Sequence, residues 1–260
     1  MAKSQENHQK TIDPIVRKLK PKSIDLELNK IKVTYLSNCR YSKRLLTKIM
    51  LINKISRNKV DLNKIKKAIY FAKKYHGRQR RETGEFYYSH PLEVTYMVSD
   101  YLFRTDIIIT SILHDCIEDT LLTKEMIIQE FGHKIANQVE DLTRVKNDKK
   151  ISSAEIVKIL YQQKKKELLL IKLFDRLHNI QTVGAKIPEK GWKIILETLQ
   201  FFLTIATYLK VPRVANQLHK HCLNITANYK KLNLYNNIVI AKIKGTSKLH
   251  EKGTREVGVT

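Results

Sequence analysis

The chain has 260 residues, of which 49 are Lys or Arg and 25 are Asp or Glu, so its formal charge is +24. Because 42% of the residues are hydrophobic and only 8 are Gly and 5 are Pro, the chain can bury a core, which excludes a disordered, collagenous or elastic protein. The three scattered cysteines, Cys39, Cys116 and Cys222, form neither a disulfide framework nor a CxxC metal motif.

The same sequence predicts a cytoplasmic protein without a membrane span. No run approaches the roughly 18 to 20 uncharged residues that a membrane helix requires. The first ten residues, MAKSQENHQK, lack the apolar stretch of a signal peptide. Scattered cysteines without a pairing pattern favour a reducing compartment.

Positive charge is concentrated near the N-terminus. The segment from Met1 to Lys66 holds 17 Lys and Arg against 5 Asp and Glu, which is half of the excess in a quarter of the chain. Such a segment attracts polyanions, so RNA, an anionic surface or a protein partner is a possible contact. The competing interpretation is a solvated lysine-rich face, and no nucleic-acid motif decides between them.

Apolar residues recur at helical spacing along almost the whole chain, which predicts an all-α fold. We expect basic helices from Ile15 to Lys59, interrupted near Asn38 and Asn53. A clearer amphipathic helix is predicted from Leu62 to His76. The stretch from Gly77 to Ser89 contains the turn residues Thr83 and Gly84 and predicts a loop or short hairpin.

Pro91 fits the first position of the next helix, which we expect to continue to about Phe103, so His90 lies at its entrance. The remaining predicted helices cover about Asp106 to Asp119, Thr123 to Glu130 with Gly132 as terminator, Ile135 to Leu142, Ser153 to Thr182 with one break, Pro188 to Tyr208, and a stretch beyond Pro212. From about Lys244 we expect a loose tail.

Two of these helices carry stripes of ionisable side chains. In SILHDCIEDT, a period of 100° per residue places four groups within an arc of about 140°, and Cys116 lies among the apolar residues on the other side. Those four are His114, Asp115, Glu118 and Asp119. In IKLFDRLHNIQT, a stripe roughly 80° wide holds Lys172, Asp175, Asn179 and Thr182. Polar stripes with this much apolar flanking are costly to bury unless ions or ligands satisfy them.

Three separate segments supply His90, the pair His114-Asp115, and Asp175. Imidazoles combined with monodentate carboxylates and open positions suit a six-coordinate divalent ion such as manganese. Tetrahedral zinc would favour thiolates or three histidines. The competing interpretation is that these are satisfied structural residues on helix faces.

The sequence resembles the HD-domain phosphohydrolases, and more closely the hydrolase domain of the RelA/SpoT family, over about Ile65 to Leu218. The resemblance rests on HGRQRRETGEFYYSHPLEV, ILHDCIEDT, DLTRVK, IKLFDRLHNIQT and ETLQFFLTIATYL. It implies a helical HD-domain bundle at residues 61–218, with the loop or hairpin before the first ligand histidine. A basic helical extension at 1–60 and a C-terminal helix and tail at 219–260 would flank that bundle.

The resemblance also implies an activity and its residues. The expected reaction removes the 3′-pyrophosphate from guanosine tetra- and pentaphosphate, (p)ppGpp, the alarmones of the stringent response. The implied manganese ligands are His90, His114, Asp115 and Asp175. Glu118 and Asp119 would orient or deprotonate the attacking water. The implied substrate contacts are Arg81 against the guanine, Tyr87, Asn179 and Thr182 in the nucleotide pocket, and Lys172 near phosphate.

Some positions depart from the family pattern. Glu82 stands where the family usually has a basic residue, Arg78 replaces a glycine, and the segment TVGAKIPEKGWK differs from the usual TLxxLPxEKR. About fifty residues follow Tyr208, so we expect no synthetase domain. The alternatives are an HD phosphohydrolase acting on another nucleotide, and a catalytically weak remnant that binds alarmones or RNA.

Overall fold

A computed structural model describes residues 39–146, 149–182 and 188–231. The helices predicted before Asn38 and the tail predicted from Lys244 lie outside the described residues. The described part of the chain is all-α, as predicted, apart from two strands of two residues each. Chain contacts divide the described residues into two compact units: unit 1 comprises 39–79 and 86–146, and unit 2 comprises 80–85, 149–182 and 188–231.

Unit 1 is a bundle of seven described helices with a short strand at its end. These elements are α1 Arg40–Ile55, α2 Leu62–His76, α3 Ser89–Val98, α4 Thr105–Leu113, α5 Cys116–Asp119, α6 Lys124–Phe131, α7 His133–Leu142 and β1 Val145–Lys146. Helix α4 is the central element, because all seven of its residues from Ile107 to Leu113 are buried. A helix that is apolar on every side belongs in a core.

The apolar faces of the surrounding helices complete this core. Ile65, Ile69 and Ala72 of α2 are fully buried, which confirms the predicted face of that helix. From α1, Leu45 and Ile49 enter the same hydrophobic cluster. A boundary after residue 60 would therefore separate these two side chains, and that of Val60, from the cluster that they pack in.

Helix ends in unit 1 follow from identifiable caps. Helix α2 begins and ends where predicted, because the Asp61 carboxylate accepts bonds from two backbone N–H groups of the first turn and Gly77 ends the helix at φ 51°. Thr123 caps α6 in the same way, and Gly132 terminates it at φ 88°. A φ above zero is strained for residues with a Cβ but not for glycine.

Three helices predicted in unit 1 have wrong bounds. Helix α1 continues past Asn53, whose side-chain amide instead exchanges two hydrogen bonds with the backbone of Val60. Helix α3 begins at Ser89 rather than Pro91 and ends at Val98 rather than near Phe103. Its first turn accepts Pro91 because a proline there removes no helical hydrogen bond.

The third is the single helix predicted from Asp106 to Asp119, which is divided into α4 and α5 at the His114-Asp115 dipeptide. Asp115 has φ −99° and ψ −7°, so the chain stays close to helical geometry through the break. Cys116 points into the core as predicted, and burial raises the pKa of its thiol.

Unit 2 is also helical. Its elements are β2 Lys149–Lys150, α8 Ser153–Gln162, α9 Lys166–Gln181, α10 Pro188–Glu197, a π-helical segment Thr198–Phe202, α11 Leu203–Tyr208 and α12 Pro212–Lys231. The break predicted between Ser153 and Thr182 falls at Lys164, which has φ 56°. The helix predicted from Pro188 to Tyr208 continues through the π-helical segment.

Helix α9 is the most buried element of unit 2. Eleven of its sixteen residues are buried, including the ionisable Lys172, Asp175 and Arg176. The Arg176 guanidinium donates to Glu197 at 2.8 Å and lies over the ring of Phe202 at 4.3 Å from its centroid, so this buried charge is paired. Among the described residues of the chain, no helix combines the length and the apolar character needed to cross a bilayer.

Candidate functional site

The predicted ligands His90, His114 and Asp115 lie together in unit 1. His90 is the second residue of α3, His114 follows α4 directly, and Asp115 precedes α5. Asp115 Oδ2 lies 3.4 Å from His90 Nε2, and Asp115 Oδ1 lies 3.1 Å from His114 Nε2. Both histidines are buried, and their ring centroids are 5.4 Å apart in an edge-to-face arrangement. One carboxylate is thus placed between two imidazoles.

The tautomer of His114 follows from its neighbours. Its Nδ1 lies 2.8 Å from the backbone carbonyl oxygen of Ser111, which can only accept, so Nδ1 carries the proton. In the neutral ring, Nε2 then presents a lone pair, and this buried atom makes no hydrogen bond to any residue that the structure describes. It faces Asp115 Oδ1, which also carries lone pairs. Two acceptors this close repel each other unless Nε2 also carries a proton or a cation lies between the two atoms.

This arrangement fits a divalent cation. Imidazole nitrogen and carboxylate oxygen are ligands of manganese, iron and zinc alike. The bond from His114 Nδ1–H to a backbone carbonyl is the outer interaction that fixes the ring orientation of a metal-ligating histidine. The donor set of unit 1 therefore supplies up to three ligands and leaves positions for others.

The two carboxylates of α5 have different partners. Glu118 is held by Arg144, whose Nη2 lies 2.6 Å from Oε1 and whose Nε and backbone N both lie 3.2 Å from Oε2. Asp119 Oδ2 accepts a hydrogen bond from the Tyr87 hydroxyl at 2.7 Å. A guanidinium stabilises an ionised carboxylate more strongly than a neutral hydroxyl does.

A second layer supports Asp119. The Gln79 amide donates to the Asp119 backbone carbonyl at 2.8 Å, and Gln79 Oε1 lies 2.9 Å from His76 Nδ1. The His76 ring stacks on the Tyr87 ring at 4.8 Å between centroids. Burial lowers the pKa of His76, so its ring is neutral at physiological pH. Tyr87 is therefore bonded to Asp119 at one end and stacked along its ring.

In unit 2, the polar stripe predicted on α9 is present. Asp175 Oδ2 lies 3.1 Å from Lys172 Nζ, one turn earlier, and Asp175 Oδ1 accepts from the Asn179 amide at 2.6 Å, one turn later. The side chains of Lys172 and Asp175 are only 4% and 11% exposed. These i, i+3 and i, i+4 neighbours fix the orientation of the Asp175 carboxylate along the helix.

Arg81 lies in the loop of unit 2 and is bonded to the last turn of α9. Its guanidinium donates to His178 Nδ1 at 3.1 Å, to Asn179 Oδ1 at 3.0 Å and to Thr182 Oγ1 at 3.3 Å. The loop itself closes as predicted, with Arg81 N–H donating to the Glu85 carbonyl at 2.9 Å and Gly84 at φ 85°. Three predicted substrate residues are thus one hydrogen-bonded group.

Sequence reasoning did not single out four residues of these clusters, which are His76, Gln79, Arg144 and His178. Each lies inside a motif that carried the family resemblance, so their proximity to the predicted residues along the chain was the available signal. Helical spacing alone could not have found Arg144, because it contacts Glu118 across 26 positions of sequence.

Comparison with protein families gives one match. The model described as HD domain matches residues 68–211, a range that contains every predicted site residue. This range is more than half of the chain.

Curated relatives match a similar range. The chain is 35% identical over 178 residues to the GTP pyrophosphokinase rsh of Brucella suis, covering 65% of this chain and 24% of that protein. It is 38% identical over 157 residues to the guanosine-3′,5′-bis(diphosphate) 3′-pyrophosphohydrolase of Aquifex aeolicus, covering 59% and 23%. The chain thus spans about a quarter of the length of the curated relatives it matches.

A solved structure, described as a metazoan orthologue of SpoT that hydrolyses ppGpp, aligns with a TM-score of 0.50. The alignment covers 61% of this chain and 93% of that one at 19% sequence identity. At that identity, the likeness establishes a shared helical fold.

Proposed function

Because this chain belongs to the HD-domain family, we propose that it is a metal-dependent phosphohydrolase that removes the 3′-pyrophosphate from ppGpp and pppGpp. The observation that carries the proposal is the pair of buried imidazoles around Asp115, with His114 Nε2 making no hydrogen bond within the described part of the chain. Relatives named as ppGpp 3′-pyrophosphohydrolases support the choice of substrate. We expect the reaction to take place in the cytoplasm.

The proposed metal ligands are His90, His114, Asp115 and Asp175, with Mn²⁺ as the ion. A bound divalent ion would lower the pKa of a coordinated water and polarise the phosphoryl oxygens. The chain's own part is to present the ligands in the correct state: His114 with its proton on Nδ1, and Asp175 fixed by Asn179 and Lys172. A carboxylate so fixed loses little conformational entropy when it binds an ion.

The proposed reaction consumes one water and gives GDP or GTP and pyrophosphate. The water oxygen forms a bond to the phosphorus attached to the ribose 3′-oxygen, and the bond between that phosphorus and the 3′-oxygen breaks. Asp119, which accepts a hydrogen bond from the Tyr87 hydroxyl, would take the proton of the attacking water. Glu118, which is bound to Arg144, would orient the water.

The proposed nucleotide contacts are Arg81, Tyr87, Asn179, Thr182 and Lys172. The planar guanidinium of Arg81, which donates to the last turn of α9, would stack on guanine. Lys172 would neutralise phosphate charge, and its ion pair with Asp175 ties that charge to a proposed metal ligand. The basic segment from Met1 to Lys66 remains a predicted contact for RNA or another anionic surface.

The decisive experiment is a nucleotide panel incubated with metal-free protein, with and without Mn²⁺. We expect ppGpp to yield GDP and pyrophosphate only with the metal, and the variants His114→Ala and Asp175→Ala to be inactive. His133→Ala is the matched control, because His133 is an exposed histidine at the start of α7, and this variant should retain activity.

Several outcomes would contradict the proposal. Turnover that survives Asp175→Ala excludes the proposed ligand set. Turnover of another nucleotide in preference to ppGpp supports the alternative substrate suggested by Glu82. Tight ppGpp binding without turnover supports the alternative of a catalytically weak, alarmone-binding remnant. Adding ATP and GTP to the panel tests whether these 260 residues synthesise alarmones, which we do not expect.

A further inference from the structure

Arg144 lies two residues after the end of α7 and donates three hydrogen bonds to one carboxylate. Its Nη2 bonds Glu118 Oε1, while its Nε and its backbone N–H both bond Oε2. Both carboxylate oxygens are therefore engaged, and the Glu118 side chain is only 6% exposed. Arg144 and Glu118 both belong to unit 1.

Burial alone would favour the neutral acid form of Glu118, since removing a carboxylate from water is costly. A guanidinium at hydrogen-bond distance reverses that preference, because charge-assisted bonds favour the ionised carboxylate. The planar fork of arginine also fixes the plane of the carboxylate, which a single-point ammonium cannot do. The backbone N–H adds a donor that no side-chain substitution removes.

We propose that Arg144 is a positioning residue: it keeps Glu118 ionised and fixes its orientation toward the attacking water. This proposal rests on the proposed hydrolase function and adds one residue to it. Arg144 acts through Glu118, so its loss should reduce the rate of the chemical step rather than the affinity for substrate.

The test compares steady-state hydrolysis of ppGpp with Mn²⁺ by the wild type and by Arg144→Met, Arg144→Lys, Glu118→Gln and the double variant Arg144→Met/Glu118→Gln. Arg104→Met is the matched control, because Arg104 also forms an ion pair with a carboxylate of unit 1, Asp106, but belongs to no proposed site. Circular dichroism and thermal unfolding establish that each variant is folded.

We expect Arg144→Met to lower kcat about 100-fold, as a misplaced reacting group does, with little change in KM. Arg144→Lys should recover part of that loss, since it restores the charge but not the fork. The double variant should be no slower than Glu118→Gln alone, because two residues that act as one unit are not additive. Arg104→Met should match the wild type.

Other results would overturn the proposal. A raised KM with unchanged kcat in Arg144→Met makes Arg144 a substrate contact, and fully additive losses in the double variant make the two residues independent. If Arg144→Met fails to fold, Arg144→Lys and its double variant with Glu118→Gln carry the same comparison. A wild type that hydrolyses no ppGpp refutes the proposed function and this inference together, whereas an active wild type matched by Arg144→Met refutes this inference alone.

Discussion

Replacing Ile49 by alanine should destabilise the protein strongly, although Ile49 lies in the segment whose charge suggests an appended extension. The side chain is fully buried in the cluster that contains Leu45, Ile65 and Ile69. The substitution removes three carbon atoms, so loss of transfer free energy alone amounts to about 2.4 kcal/mol. The cavity that remains adds to this, and buried Ile→Ala changes cost about 2 to 5 kcal/mol in total.

Equilibrium unfolding in urea, followed by circular dichroism and extrapolated linearly to water, measures this loss. Leu51→Ala on the same helix is the control, because its side chain is 57% exposed and should lose less than about 1 kcal/mol. If Ile49→Ala does not fold, Ile49→Val should cost about 0.5 to 1.5 kcal/mol. Equal losses for Ile49→Ala and Leu51→Ala would refute the assignment of α1 to the core.

Three further predictions follow from other contacts. Burial opposes ionisation of Asp106, but hydrogen bonds from Arg104 and Lys134 outweigh burial and lower the pKa of this carboxyl. The resulting stabilisation is present above the unfolded pKa of about 4 and is lost as the pH falls through the folded pKa. Asp106→Asn should therefore flatten this part of the curve of unfolding free energy against pH, and an unchanged curve would contradict the prediction. Burial raises the pKa of Cys222 to about 11 and that of Cys116 well above its usual value. Iodoacetamide at pH 8 should therefore alkylate neither thiol until the protein unfolds. Detection by mass spectrometry of a label at either cysteine in the native protein would disprove this prediction. Replacing Arg81 by lysine removes a planar guanidinium that has three hydrogen-bond partners. The KM for ppGpp should rise roughly tenfold with little change in kcat. Arg78→Lys in the same loop is the control, and an equal effect of that change would argue against a specific role of Arg81.

Local rules predicted the helices well where a cap or a terminator stands in the sequence. Helix α2 has both, in Asp61 and Gly77, and its predicted bounds agree with the structure. The prediction of a break near Asn53 was wrong because asparagine breaks a helix only when its side chain bonds the local backbone. Here the amide bonds Val60, seven residues away, and that partner is set by packing of the next connection.

The break at the His114-Asp115 dipeptide could not be predicted from periodicity. Both residues keep dihedral angles near the helical range, so the apolar pattern continues across them and indicates a single helix. The arc of about 140° was calculated for one continuous helix. It therefore gave only the approximate directions of the four ionisable side chains and did not show that α4 and α5 are separate.

The candidate site shows the same division between near and distant contacts. The stripe of Asp175 and Asn179 follows from their spacing on one helix, and the structure contains the expected bond. The hydrogen bonds from Arg144 to Glu118 join α5 to the segment after α7, and the contact of Arg81 with His178 spans 97 positions. Such contacts depend on how the bundle packs, for which a single sequence carries no periodic signal.

The six residues Arg80–Glu85 have a consequence for dissecting this protein. They lie between the two segments of unit 1 along the chain yet belong to unit 2. Cleavage at Asn147 would yield an N-terminal fragment that keeps Arg81 and a C-terminal fragment that keeps its three acceptors, which lie at the C-terminal end of α9. No single cut can release unit 2 whole, so recovering it as a separate fragment requires a circular permutation or a grafted loop.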